Sequence, residues 1–239
     1  MIILFTLFIF VLYFIYTFLK SNRTVAYKDF GDPSHRKICF IAGVHGNEPA
    51  ASLLLHDMLK TDYFKRISSE NKIFIRVLPG VNEFGLAINS RYQNSVLHPD
   101  INRNFVEEGL DHISKEIIQL TKDMDLIVDF HEGWGFHLIQ PRSLGSTLTL
   151  TEGSRPLGEL IISNLNKTIS NEKHKFVILD RMCQIEEALS CYSHRHGKQY
   201  ILVETSGQND IQPVDVRQSQ IKTIIDTCVN NLKISTNIK

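Results

Sequence analysis

The chain has 239 residues, with 26 basic and 26 acidic side chains and a formal net charge of zero. Its 43% apolar content is enough to build a core, which excludes an intrinsically disordered chain or a coiled coil. Balanced charge excludes a broad phosphate-binding face of the kind nucleic acids need, leaving room only for a local basic patch.

The elements follow in chain order. Residues 1–19 hold 17 apolar or aromatic side chains, Thr6 and Thr17 being the exceptions, and carry no charge. That length matches a helix crossing the hydrocarbon core, so residues 1–20 are expected to form a single-pass membrane anchor. A cleavable signal peptide fits less well, because no basic residue precedes the run and no Ala-x-Ala site follows it. Lys20, Arg23 and Lys28 trail the run, and the positive-inside rule then places the remaining domain in the cytosol. Cys39, Cys183, Cys191 and Cys228 form no CxxC pair and are compatible with a reducing compartment.

Residues 21–36 contain the turn signal Gly31-Asp32-Pro33-Ser34 and read as a linker with an edge strand around residues 25–30. Residues 37–239 form the second unit. Short apolar runs predict strands over 37–42, 73–78, 126–130, 176–179 and 200–203. Longer stretches with apolar residues at helical spacing predict helices over 49–60, 110–124, 155–169 and 214–232. This alternation predicts an α/β domain, a mixed but largely parallel sheet flanked by helices. In such sheets ligand sites gather at the carboxyl ends of the strands.

Three strand ends carry chemistry. The first predicted strand runs into Gly43-Val44-His45-Gly46-Asn47-Glu48-Pro49. His45 and Glu48 are three apart at a strand-to-helix junction, a spacing that can aim an imidazole and a carboxylate at one zinc ion. The strand over 126–130 leads into His131, which completes a two-His, one-Glu set and leaves one coordination position open for water. Asp129 lies on the same strand face and can orient a ligand, whereas Glu132 should face away. The strand over 200–203 ends in Glu204, a carboxylate suited to act as general base on metal-activated water. Between these ends, Arg91 and the segment Asp100-Ile101-Asn102-Arg103-Asn104-Phe105 lie in a long polar connection. Arginines near a metal can polarise a carbonyl or grip a carboxylate. Trp134, Phe136 and His137 are candidates to line a pocket, and one of Tyr192, His194, Arg195 and His196 could touch substrate.

The ordered set HGNE (45–48), RY (91–92), DINRNF (100–105), DFH (129–131) and ETSGQ (204–208) resembles the zinc carboxypeptidase superfamily. Within it, the pattern is similar to the succinylglutamate desuccinylase/aspartoacylase family over residues 37–210. The resemblance implies a zinc carboxypeptidase-like fold and one Zn²⁺ per chain, held by His45, Glu48 and His131. It implies that Glu204 shuttles the proton from water to the leaving amine and that Arg91 stabilises the oxyanion. Asn102 and Arg103 would bind a substrate carboxylate. The implied reaction is hydrolysis of an amide bond in an N-acyl amino acid or similar substrate. A zinc carboxypeptidase or peptide amidase acting on peptide C-termini is the alternative. Aspartoacylase-like enzymes carry a C-terminal β-rich domain, but only 29 residues follow Asp210, in one predicted helix. That favours a more open, peptide-accepting cleft.

Overall fold

Seven short runs pair into one sheet in the computed structural model, which describes residues 24–93 and 100–232. They are β1 (Lys28–Phe30), β2 (Arg36–Ala42), β3 (Ile73–Leu78), β4 (Leu126–Gly133), β5 (Thr147–Leu150), β6 (Val177–Ile178) and β7 (Gln199–Ser206). Their spatial order is β1-β3-β2-β4-β7-β5-β6. The central strands β3, β2, β4 and β7 run parallel. Edge strand β1 is antiparallel to β3, and β5 is antiparallel to β7 with β6 parallel to β5. The sheet is therefore mixed with a parallel centre, as the alternation of elements implies.

Seven α-helices accompany it among the described residues. They are α1 (Ala50–Leu59), α2 (Tyr63–Asn71), α3 (Glu83–Ala87), α4 (His112–Thr121), α5 (Arg155–Asn166), α6 (Leu189–Arg195) and α7 (Val214–Leu232). Side chains on β2 alternate between two cores because successive residues of a strand face opposite ways. Ile38, Phe40 and Ala42 pack with Leu55 of α1, Phe64 of α2, Ile161 of α5 and Ile224 of α7. Cys39 and Ile41 join Ile117 of α4 and Leu189 of α6 on the other face. Burial on both faces explains why the central strands read as continuous apolar runs. Phe40 stacks on Phe130 at 6.2 Å and is fully buried, so its truncation to Ala should cost about 3–5 kcal/mol.

Four elements exceed the sequence expectations. Helix α2 (YFKRISSEN) buries only Phe64, Ile67 and Ser68, too thin an apolar stripe to stand out. Short α3 and α6, and β5 with its two threonines, were equally masked by polar residues. The cysteine reading also changes, because Cys183 and Cys191 form a disulfide while Cys39 and Cys228 stay free and buried. The apolar run over residues 1–19 lies outside the described residues. Among the described residues no helix is long and apolar enough to cross a membrane.

The topology fixes where a ligand can sit. From β2 the chain moves to β3 on one side and later to β4 on the other. The carboxyl ends of β2 and β4 therefore open into a crevice at a topological switch point.

Candidate metal centre

Strand β2 stops at Ala42 because the next residues turn sharply. Gly43 has φ +71°, a conformation that disfavours any side chain. At Gly46 an added Cβ would lie 1.9 Å from the Gly85 backbone, so no larger residue fits. The turn closes with the Glu48 amide donating to the His45 carbonyl at 3.3 Å. His45 and Glu48 thus sit in a turn ahead of α1, rather than in the first helical turn that their spacing suggested. From there both side chains point into the crevice.

His131 lies inside β4, which runs three residues further than its apolar stretch. In the parallel register it is the Cα partner of Glu204 on β7, so the two share a face on adjacent strands. His45, Glu48 and His131 are all about 3% exposed. Their donor atoms converge: His45 Nδ1 is 2.9 Å from Glu48 Oε1, and His131 Nδ1 is 2.9 Å from Glu48 Oε2. The two Nδ1 atoms are 3.1 Å apart. These residues form a group that can hold a metal ion. Two facing ring nitrogens can share at most one proton, whereas a tetrahedral zinc places its ligand atoms about 3.3 Å apart. The donor set therefore fits a small dication with an open coordination position.

The outward nitrogens are held by carboxylates. His45 Nε2 lies 3.2 Å from Asp100 Oδ1, and His131 Nε2 lies 3.2 Å from Asp129 Oδ2. Tyr200 donates its hydroxyl to Asp129 at 2.8 Å. Such partners fix which imidazole nitrogen faces inward and raise its basicity. Burial opposes charge on His131, but Asp129 and Glu48 outweigh it and hold the imidazolium far above the ordinary histidine range. Burial likewise opposes the Glu48 carboxylate, yet His45 and His131 keep it well below the usual range. Asp100 is also lowered, against burial, by His45 and then Arg91. Glu204 behaves oppositely: burial, reinforced by Glu48 and Asp129, pushes it up to about 8.

The arginine connection reaches the same place. Arg91 grips Asp100 Oδ2 through Nε at 3.1 Å and Nη2 at 3.0 Å. That clamp points Nη1 at the ligand set, 3.3 Å from His45 Nδ1 and 3.6 Å from Glu48 Oε1. Asn102 accepts from the Leu189 amide at 3.0 Å, and Arg103 is 40% exposed beside it. Arg91, Asn102, Arg103 and Glu204 line a pocket of about 410 Å³ together with the three candidate ligands. The residues given roles as ligands, base, oxyanion partner and carboxylate binders are therefore brought to one cavity.

Sequence reasoning left several contributors without a role. Asp100 organises His45 and Arg91 together, and Gln208 donates to Glu48 Oε1 at 3.0 Å and to the Glu132 carbonyl at 2.6 Å. Both lie within the quoted motifs, which was the available signal. Glu132 does face away from the ligands. Its carboxylate accepts from the Ala50 amide at 2.7 Å and pairs with Arg217 of α7. Trp134 lines the pocket, whereas Phe136 stacks on His174 at 3.8 Å. His137 bonds the Ser143 carbonyl, and Tyr192, His194, Arg195 and His196 do not line this pocket. Arg142 and Arg181 do line it, and nothing in the sequence singled them out.

No family pattern and no curated protein matches the chain by sequence. Solved structures do match. The tripeptide-bound cell shape determinant Csd4 from Helicobacter pylori superimposes with a TM-score of 0.69 at 16% identity, covering 87% of this chain and 55% of that one. An mDAP-bound form of the same protein, described as a D,L-carboxypeptidase, gives 0.68 at 18% identity, covering 84% and 51%. A candidate metallopeptidase from Shewanella denitrificans OS217 gives 0.67 at 15% identity, covering 89% and 80%. The chain thus spans about half the length of Csd4. What is shared with these proteins is a carboxypeptidase-like α/β fold, and in this chain a group that can hold a metal lies at the carboxyl ends of β2 and β4.

Proposed function

We propose that the chain is a zinc-dependent hydrolase of the carboxypeptidase type, cleaving the amide bond beside a free carboxylate. The observation that carries this reading is the convergence of His45, Glu48 and His131 with Glu204 as the register neighbour of His131. When bound, zinc would supply Lewis acidity and lower the pKa of water. The side chains divide the remaining work. Glu204, hard to ionise in its buried setting, takes the proton of the attacking water and returns it to the leaving amine. Arg91, held by Asp100, stabilises negative charge developing on the carbonyl oxygen. Asn102 and Arg103 hold the terminal carboxylate, which orients the scissile bond. The resemblance to metallopeptidases in fold supports this reading. The motif order, including Glu204 followed by Gln208, favours N-acyl amino acid deacylation as a second reading within the same chemistry.

The test is a substrate panel on zinc-loaded protein. Peptides with free C-termini, the same peptides amidated, and N-acetyl and N-succinyl amino acids should be compared. Release of the C-terminal residue only from free-carboxylate peptides supports the first reading. Turnover restricted to acyl amino acids supports the second, and no hydrolysis of any member overturns both.

For residues 1–20 we retain the proposal of a membrane anchor. The cytosolic orientation rested on three basic residues. The Cys183–Cys191 disulfide supports the opposite, oxidising side instead.

A further inference from the structure

One wall of the pocket is a segment without regular secondary structure, residues 182–188 between β6 and α6. Gln184, Ile185 and Ala188 line the cavity from it, and Ser190 from the first turn of α6. Residues 184–187 are exposed, so little packing holds the segment along its length. A covalent tie does so instead, joining half-buried Cys183 to buried Cys191 in α6. Cys183 sits at φ +60°, a left-handed conformation that a residue with a Cβ disfavours and leaves once untied.

The closed loop from Cys183 to Cys191 also holds the residues that grip the substrate carboxylate. The Leu189 amide donates to Asn102 Oδ1 at 3.0 Å, and the Phe105 amide donates to the Glu187 carbonyl at 2.8 Å. Arg195 bridges the two segments, donating to the Glu186 carbonyl at 2.8 Å and to the Phe105 carbonyl at 3.3 Å. Arg103 in turn donates to the Asn102 carbonyl at 2.8 Å, so whatever fixes Asn102 fixes Arg103 as well. The metal centre is built elsewhere. Arg91 is held by Asp100, and His131 and Glu204 lie on β4 and β7, none of them within the loop.

We infer that the Cys183–Cys191 bridge is a redox-controlled brace for the carboxylate grip. With the bridge formed, Asn102 and Arg103 are held ready for substrate; with it reduced, they loosen while the metal centre stays intact. Substrate affinity thereby follows the thiol–disulfide state around the protein. Reduction by a small-molecule dithiol passes two electrons and two protons to the bridge. Cys183 and Cys191 become free thiols, and the dithiol closes to a cyclic disulfide. The substrate role of Asn102 and Arg103 rests on the hydrolase reading above, but the brace itself does not.

Two measurements on the full chain test it, in the oxidised form made with oxidised glutathione and in a reduced form. The latter is treated with dithiothreitol, desalted without air and reloaded with zinc, and Cys183→Ala/Cys191→Ala is its covalent counterpart. Hydrogen exchange read by mass spectrometry should quicken about tenfold over residues 101–105 and 184–190 in both, and stay unchanged over β4. Kinetics on the substrate panel should show KM raised about tenfold, with kcat and zinc content unchanged. Reoxidation should restore the reduced wild type and leave the double variant as it was. Unchanged exchange over residues 101–105, or quicker exchange with unchanged KM, overturns the inference. Equal quickening over β4 or loss of zinc also overturns it, since either marks general loosening of the fold. A bridge that oxidised glutathione cannot form overturns it too. If exchange responds as expected but neither form hydrolyses any member of the panel, the hydrolase reading fails and the brace stands.

Discussion

The buried pair of Glu132 and Arg217 ties the C-terminal helix to the metal centre, and removing one partner should expose how much depends on it. Glu132 is 2% and Arg217 4% exposed, so neither charge has water to fall back on. Arg217→Met keeps the aliphatic bulk but leaves the Glu132 carboxylate with the Ala50 amide as its remaining hydrogen-bond donor. Breaking a buried pair in this way costs about 3–5 kcal/mol, because the surviving charge stays desolvated. For a domain of this size that corresponds to a fall in Tm of roughly 10 °C. Glu132→Gln/Arg217→Met should cost less than Arg217→Met alone, since a neutral amide can still accept from Ala50. Urea unfolding of the four proteins in the cycle, at constant m-value, gives the coupling directly. The Glu132 amide also donates to Glu48 Oε2 at 3.1 Å, so Arg217→Met should weaken metal retention as well. A loss below 1 kcal/mol for Arg217→Met, or a double variant as unstable as the sum of the singles, would refute the reasoning.

Three further outcomes are expected. Asp129→Asn removes the carboxylate behind His131 and should weaken zinc binding about 10–100-fold in a chelator competition, and unchanged affinity would count against its orienting role. Glu204 must be ionised to act as base, so turnover should rise with pH through its pKa. Burial sets that value at about 8 without metal, and a nearby dication should draw the acid limb lower. Glu204→Gln should cut kcat roughly 100-fold or more and abolish that limb while retaining zinc, and a variant keeping a tenth of wild-type activity excludes the role. Denatured, unreduced protein should titrate two thiols, those of Cys39 and Cys228. Replacing Cys183 and Cys191 by Ala should cost about 2–3 kcal/mol in a melt, and four titratable thiols would show the bond does not form.

The parts of the fold legible in the sequence are those that a local pattern controls. Strands β2, β4 and β7 are buried on both faces, so each reads as an apolar run, and the first polar residue beyond the run marks the site. His45, His131 and Glu204 were found that way. Helix α2 and strand β5 were missed because their burial comes from partners distant in sequence, which intrinsic propensity does not encode. The same reason hides the place of Arg142 and Arg181: both sit in loops, and only the folding of two separate connections brings them to one cavity. The disulfide was equally invisible, since its cysteines lie eight positions apart without any spacing signature.

The central claim is a metal ion held by His45, Glu48 and His131. Elemental analysis of the protein after exhaustive dialysis against metal-free buffer tests it most directly. The account expects one zinc per chain in the wild type and almost none in His45→Ala or His131→Ala proteins that remain folded. A wild-type protein that retains no metal after zinc loading, or ligand variants that retain as much as the wild type, would contradict it.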